Sequence, residues 1–131
     1  MKKPDQHRPT EAEMAILQIL WETGPVSVRT VHETLYPTGD AGYTTTLKLM
    51  QIMVSKGLAK RNTEQRTHIY RANVQEKIAK QNLVTKLVNL AFKGSESQLV
   101  MQVLGNRNAS PEELQQIKDM ISLIESNQNN S

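Results

Sequence analysis

Four side chains able to hydrogen-bond without adding negative charge, Thr44, Thr45, Lys48 and Gln51, crowd into one short stretch that holds no Asp or Glu. Hydroxyls and free amides at the start of a helix donate to phosphate. An ammonium suits a phosphate or a guanine, and a carboxamide can pair with adenine through two hydrogen bonds. Two further groups share this chemistry. Ser27, Arg29 and Thr30 open the preceding segment, and Lys60, Arg61 and Arg66 follow downstream. Both are suited to backbone phosphates, the latter also to a minor groove. Leu47 either approaches a thymine methyl or packs on its neighbours.

Charge placement points the same way. Residues 1–72 hold ten Lys and Arg against seven Asp and Glu, whereas residues 73–131 hold six of each. The whole excess of +3 lies in the first half, which marks that half as the one to meet an anion, and nucleic acid is the commonest large one. With no cysteine, a disulfide framework, a thiolate zinc site and a cysteine nucleophile are excluded. His7, His32 and His68 fall on different segments, so no metal site is expected. There is no glycine-rich phosphate loop, His-Glu metal motif or Ser/His/Asp arrangement, and neither a cofactor nor an enzymatic activity is expected. No apolar run reaches membrane-spanning length, which predicts a cytoplasmic protein without membrane insertion.

The elements that position these residues are legible from caps and periodicity. Thr10 and Glu13 have capping-box spacing, and Met14, Leu17, Leu20 and Trp21 supply a buried stripe that Gly24-Pro25 ends. Ser27 caps a second helix with Val28, Val31 and Leu35 on one face, closed by Pro37 and Gly39. A third helix runs from Tyr43 to Lys56 with Thr46, Leu49, Met50 and Met53 inward and Gly57 at its end. That register turns Thr44, Thr45, Leu47, Lys48 and Gln51 outward. Residues 58–63 and 67–72 then read as a hairpin bearing Lys60, Arg61, Arg66 and Arg71. Three helices followed by a basic hairpin is the winged-helix order. Met14, Trp21, Met50, Met53 and Tyr70 are expected in the core.

Three more helices are expected, opening on the capping boxes Asn73–Glu76, Ser95–Gln98 and Ser110–Glu113, with a frayed polar end from Asn127. Their apolar stripes have no large partner domain in the chain. A second copy of the same helices would cover them, through Leu83, Leu87, Leu90, Leu99, Val103, Leu114, Ile117, Ile121 and Ile124. An intrachain bundle packed on the first domain is the alternative. The fold class is therefore mainly α with a small β-hairpin: a winged helix-turn-helix DNA-binding domain at 1–73 and a helical dimerisation domain at 74–131.

In order and spacing, Thr10-Glu11-Ala12-Glu13 with Leu20-Trp21, Val28-Arg29-Thr30-Val31-His32-Glu33, Tyr43-Thr44-Thr45-Thr46 with Lys56-Gly57-Leu58, and Tyr70-Arg71-Ala72 resemble one family. It is the penicillinase-repressor family of bacterial transcriptional regulators, of the BlaI, MecI and CopY type, and the likeness covers residues 8–125. The resemblance implies a homodimer that represses by covering double-stranded, palindromic operator DNA. It also implies release through the C-terminal domain, by a membrane sensor protease or by metal at C-terminal cysteines. The second route is excluded by the missing cysteines. For the first, Gln102-Val103 stands where relatives carry an Asn-Phe cleavage pair. A winged-helix module that binds protein and a regulator that senses a small molecule are the competing functional classes.

Overall fold

In the computed structural model, which describes residues 8–105 and 108–129, the order is α1 (Glu11–Thr23), β1 (Val26–Ser27), α2 (Val28–Leu35), α3 (Tyr43–Ser55), β2 (Ala59–Asn62), β3 (Ile69–Ala72), α4 (Glu76–Ala91), α5 (Glu96–Gly105) and α6 (Pro111–Asn129). His7 lies outside the described residues. Two units divide within α4, at residues 1–85 and 86–131.

The first unit is a winged helix. Its α1 begins where the Thr10 amide donates to Glu13 Oε1 at 2.8 Å and the Glu13 amide donates to Thr10 Oγ1 at 3.2 Å. The buried arc of α1 is wider than the predicted stripe, because Ile16 and Ile19 are buried along with Met14, Leu17 and Leu20. Ile16, Leu17, Ile19 and Leu20 pack with Val28 and Val31 of α2, Met50 and Met53 of α3, and Leu58, Ala59 and Tyr70 of the wing. Trp21 is only half-buried, and its indole N–H donates to the Val74 carbonyl at 3.0 Å. The end of α3 is a Schellman motif: Leu58 N–H donates to Met53 O, Gly57 N–H to Val54 O, and Gly57 takes φ 82°. That left-handed turn suits glycine and aims the chain straight into β2.

Two expectations need correction. The sheet has three strands in the order β1-β3-β2, since Val26 and Ser27 pair with Tyr70 and Ile69. Two residues are too few to leave a periodic signal. The Asn73–Glu76 capping box does not form, because Asn73 continues the hairpin instead. Its backbone N–H donates to Leu58 O and its side-chain amide to Gly57 O, so α4 starts at Glu76. At the other end, α6 runs to Asn129, the last described residue.

In the second unit Ser95 and Ser110 accept from the Gln98 and Glu113 amides, capping α5 and α6 as their spacing predicts. Neither helix buries a residue.

Candidate nucleic-acid interface

The position of α3 follows from a polar fastening inside an apolar contact. Thr46 is 1% exposed, and its Oγ1 shares a 2.7 Å hydrogen bond with His32 Nδ1 on α2. Thr46, Met50 and Met53 thus face inward while Leu47 and Leu49 sit half-buried against the core. Everything on the opposite side follows by helical rotation. Thr44, Thr45, Lys48 and Gln51 are all exposed, together with Ile52 and Ser55. The structure brings these four predicted residues onto one face.

The start of α3 differs from the starts of its neighbours. Thr10 and Ser27 cap α1 and α2 through their hydroxyls, but α3 is capped by Gly42 and receives no side-chain hydrogen bond. Its first turn holds no acidic residue. The Thr45 amide donates to Gly42 O at 3.0 Å, and the earlier amides with the positive end of the helix dipole face outward without a side-chain acceptor. Thr44 and Thr45 stand beside them with free hydroxyls and no capping task.

Ser27, Arg29 and Thr30 all lie at the start of α2. Ser27 is committed to the cap, accepting from the Thr30 amide at 3.3 Å, while Arg29 and Thr30 are exposed. The Arg29 guanidinium carbon lies 5.6 Å from the Tyr43 ring centroid. Tyr43 in turn meets His32 edge-on at 5.8 Å. Among the described residues Arg29 has no ion pair, and the same holds for Lys48, Lys60, Arg61, Arg66 and Arg71, since the two salt bridges join Lys56 to Glu13 and Lys80 to Glu76.

The wing distributes its cations over two sides. Arg66 and His68 line a groove of about 470 Å³ shared with Arg29, Tyr43 and Leu47. Arg61 and Arg71 line a different groove with Glu64 and Pro25. Lys60 pairs directly across the ladder with Arg71. Like charges opposite each other destabilise a hairpin, so this pair is a local cost that an anion would relieve. Sequence reasoning therefore found Lys60, Arg61 and Arg66 but not their separation, and it missed Tyr43 and His68 as parts of the same groove as Arg29. Strand alternation could have separated Lys60 from Arg61. The meeting of Tyr43, Arg29 and His68 depends on tertiary packing and left no local signal.

These features sit in a chain that matches the penicillinase repressor family over residues 9–123. The chain belongs to the penicillinase repressor family. This is a family of transcriptional regulators, which are not enzymes. Similar solved structures include the DNA-binding domain of the repressor BlaI, at 22% identity and TM-score 0.49 over 58% of this chain and 90% of that one. A MarR family transcriptional regulator from Silicibacter pomeroyi is 20% identical with TM-score 0.44, over 99% and 74%. ZitR of Lactococcus lactis is 20% identical with TM-score 0.44, over 96% and 80%. Comparison with curated proteins gives no match.

The C-terminal part of this family member carries apolar side chains exposed in the single chain. Leu83 and Leu87 on α4 are 46% and 42% exposed, and Leu90 77%. On α5 and α6, Val103, Leu114, Ile121 and Ile124 are exposed and Leu99 and Ile117 half-buried. In residues 86–131 Val88 is the one buried hydrophobic side chain among the described residues. Gln102 and Val103 lie in the middle of α5, both exposed. No described helix is long and apolar enough to cross a membrane.

Proposed function

We propose that this penicillinase repressor binds double-stranded operator DNA as a homodimer, with α3 of each copy in the major groove of one half-site. The observation that carries the reading is the exposed face of α3, where Thr44, Thr45, Lys48 and Gln51 surround an acid-free helix start that receives no side-chain cap. A helix of this kind fits the major groove and offers its first turns to base edges. Arg29, Thr30, Lys60, Arg61 and Arg66 add backbone contacts on either side, with Ser27 holding the start of α2.

The dimer is supported by the apolar side chains of α4, α5 and α6, which residues of the same unit leave exposed. Burying each of these Leu, Ile and Val side chains contributes about 1 kcal/mol before the cost of association, which favours a pair that covers them. Twofold symmetry then makes a palindromic operator with half-sites about one helical turn apart, or a multiple of it. In this division of labour residues 1–73 read DNA and residues 74–131 hold the copies together.

Release of the operator fits a cut in α5 by a membrane sensor protease at Gln102-Val103. Both residues are exposed, and α5 buries nothing that would resist unwinding. Incubation with the cognate sensor should yield fragments ending near Gln102, and a promoter released from intact chains rejects this route.

Footprinting on the gene's upstream region, repeated as salt rises, tests the main reading. A symmetric protected site and a steep linear fall of log affinity against log salt are expected. Absent or salt-independent binding to duplex DNA would sink it in favour of a protein-binding module.

A further inference from the structure

The groove between the starts of α2 and α3 and the hairpin has a composition that a general basic surface does not share. Its cations come from two different elements, Arg29 from α2 and Arg66 from the wing, with His68 also lining it. Val28, Leu47 and Tyr43 supply apolar and aromatic surface between them. Among the described residues no acidic side chain lines it. Glu64, the carboxylate in the hairpin connection, lines the other groove with Arg61 and Arg71.

Arg29 is arranged for a bidentate contact. A ring face 5.6 Å away holds the guanidinium electrostatically without consuming its N–H donors. Those donors have no protein acceptor among the described residues, so the fork that matches phosphate geometry remains open. Tyr43 is itself fixed by the edge of His32, and His32 by buried Thr46. The alignment of Arg29 thus traces back to the core through three side chains.

We propose that this groove seats a single sugar-phosphate unit of the DNA backbone, with Arg29 and Arg66 closing on the same phosphate and the Tyr43, Leu47 and Val28 surface under the deoxyribose. His68 adds a ring N–H donor from the wing side, and Tyr43 becomes a positioning residue for Arg29. This deepens the DNA-binding reading above and rests on it. A phosphodiester is favoured over a free phosphate because the groove offers apolar surface for the sugar as well as cations for the charge.

The test uses the full chain and a duplex that it selects from randomised DNA, rebuilt with single neutral methylphosphonates at each backbone position. One position per half-site should weaken wild-type binding about tenfold, the scale of one charge-assisted contact. Arg29→Ala and Arg66→Ala should each lose about tenfold on the unmodified duplex and become insensitive to a methylphosphonate at that same position. Tyr43→Leu should weaken binding when Arg29 is present and have no effect in the Arg29→Ala background, with folding verified by an unchanged melting temperature. The proposal is overturned if the two arginine variants lose sensitivity at different phosphates or at none. It is also overturned if millimolar inorganic phosphate shifts the Arg29 and His68 resonances as strongly as the duplex does. If selection enriches no duplex, it is the DNA-binding function itself that fails.

Discussion

Lys56 Nζ lies 2.6 Å from Glu13 Oε1, so one carboxylate serves both the cap of α1 and the end of α3. Glu13 is 1% exposed. Burial pushes its carboxyl upward, but hydrogen bonds from Lys56 and the Thr10 amide, with the charge of Lys56, outweigh that and hold it below the usual carboxylate range. Its folded value is therefore lower than its unfolded one. The associated stability is present above about pH 4.3, the ordinary glutamate value, and is lost as pH falls through the folded value.

Lys56→Met should consequently cost about 1 to 3 kcal/mol at neutral pH, because a buried carboxylate loses its cation while the cap remains. The advantage of wild type over the variant should also shrink as pH falls below about 4.3, because without Lys56 the Glu13 carboxyl is depressed less and has less stability to lose. Denaturant melts between pH 3 and pH 7 measure both effects. Parallel curves for the two proteins would show that the pair is not coupled to folding.

The hydrogen bond between His32 and Thr46 calls for a double-mutant cycle. His32→Phe or Thr46→Val alone leaves one buried polar group without its partner and should cost about 1 to 3 kcal/mol. The double variant, with both partners apolar, should cost less than the sum of the singles by about 1 kcal/mol. Additive losses in urea melts would mean that packing alone fixes α3 on α2.

How much of this was readable beforehand differs from residue to residue. Thr10 with Glu13 announces its cap because the interaction is local, whereas Lys56 on the same carboxylate is 43 residues away and gives no sequence signal. The outward face of α3 was legible because 3.6-residue periodicity fixes Thr44, Lys48 and Gln51 as soon as Thr46, Met50 and Met53 are placed inside. The Asn73 cap failed for the opposite reason. Its side-chain N–H donates to the Gly57 carbonyl, which holds the side chain on the hairpin and away from the start of the helix. The groove at Arg29 joins three segments that no periodic pattern relates.

Within the recognition face, Gln51→Ala should change base preference at one position of each half-site, while Lys48→Ala should weaken binding. A good bidentate base contact is worth about 1 to 3 kcal/mol of discrimination, so the altered position should lose most of its preference. Binding-site selection with each variant separates the two effects. An unchanged site profile for Gln51→Ala would make Gln51 a bystander on the exposed face.

On α6, Ile121 is 48% exposed with Leu114, Ile117 and Ile124 along the same stripe. Twofold symmetry makes any change there count twice in a dimer, once from each copy. Ile121→Asp places an unpaired carboxylate in the proposed seam, and a cost of about 1.4 kcal/mol per copy would weaken association about a hundredfold. Sedimentation equilibrium should show the variant shifting to monomer at concentrations where wild type is paired. Because α6 buries no residue within its own chain, the melting of the winged helix should not change. Operator binding should weaken together with association, since a lone copy reads only one half-site. A variant that stays dimeric would move the interface off α6 and onto α4 and α5.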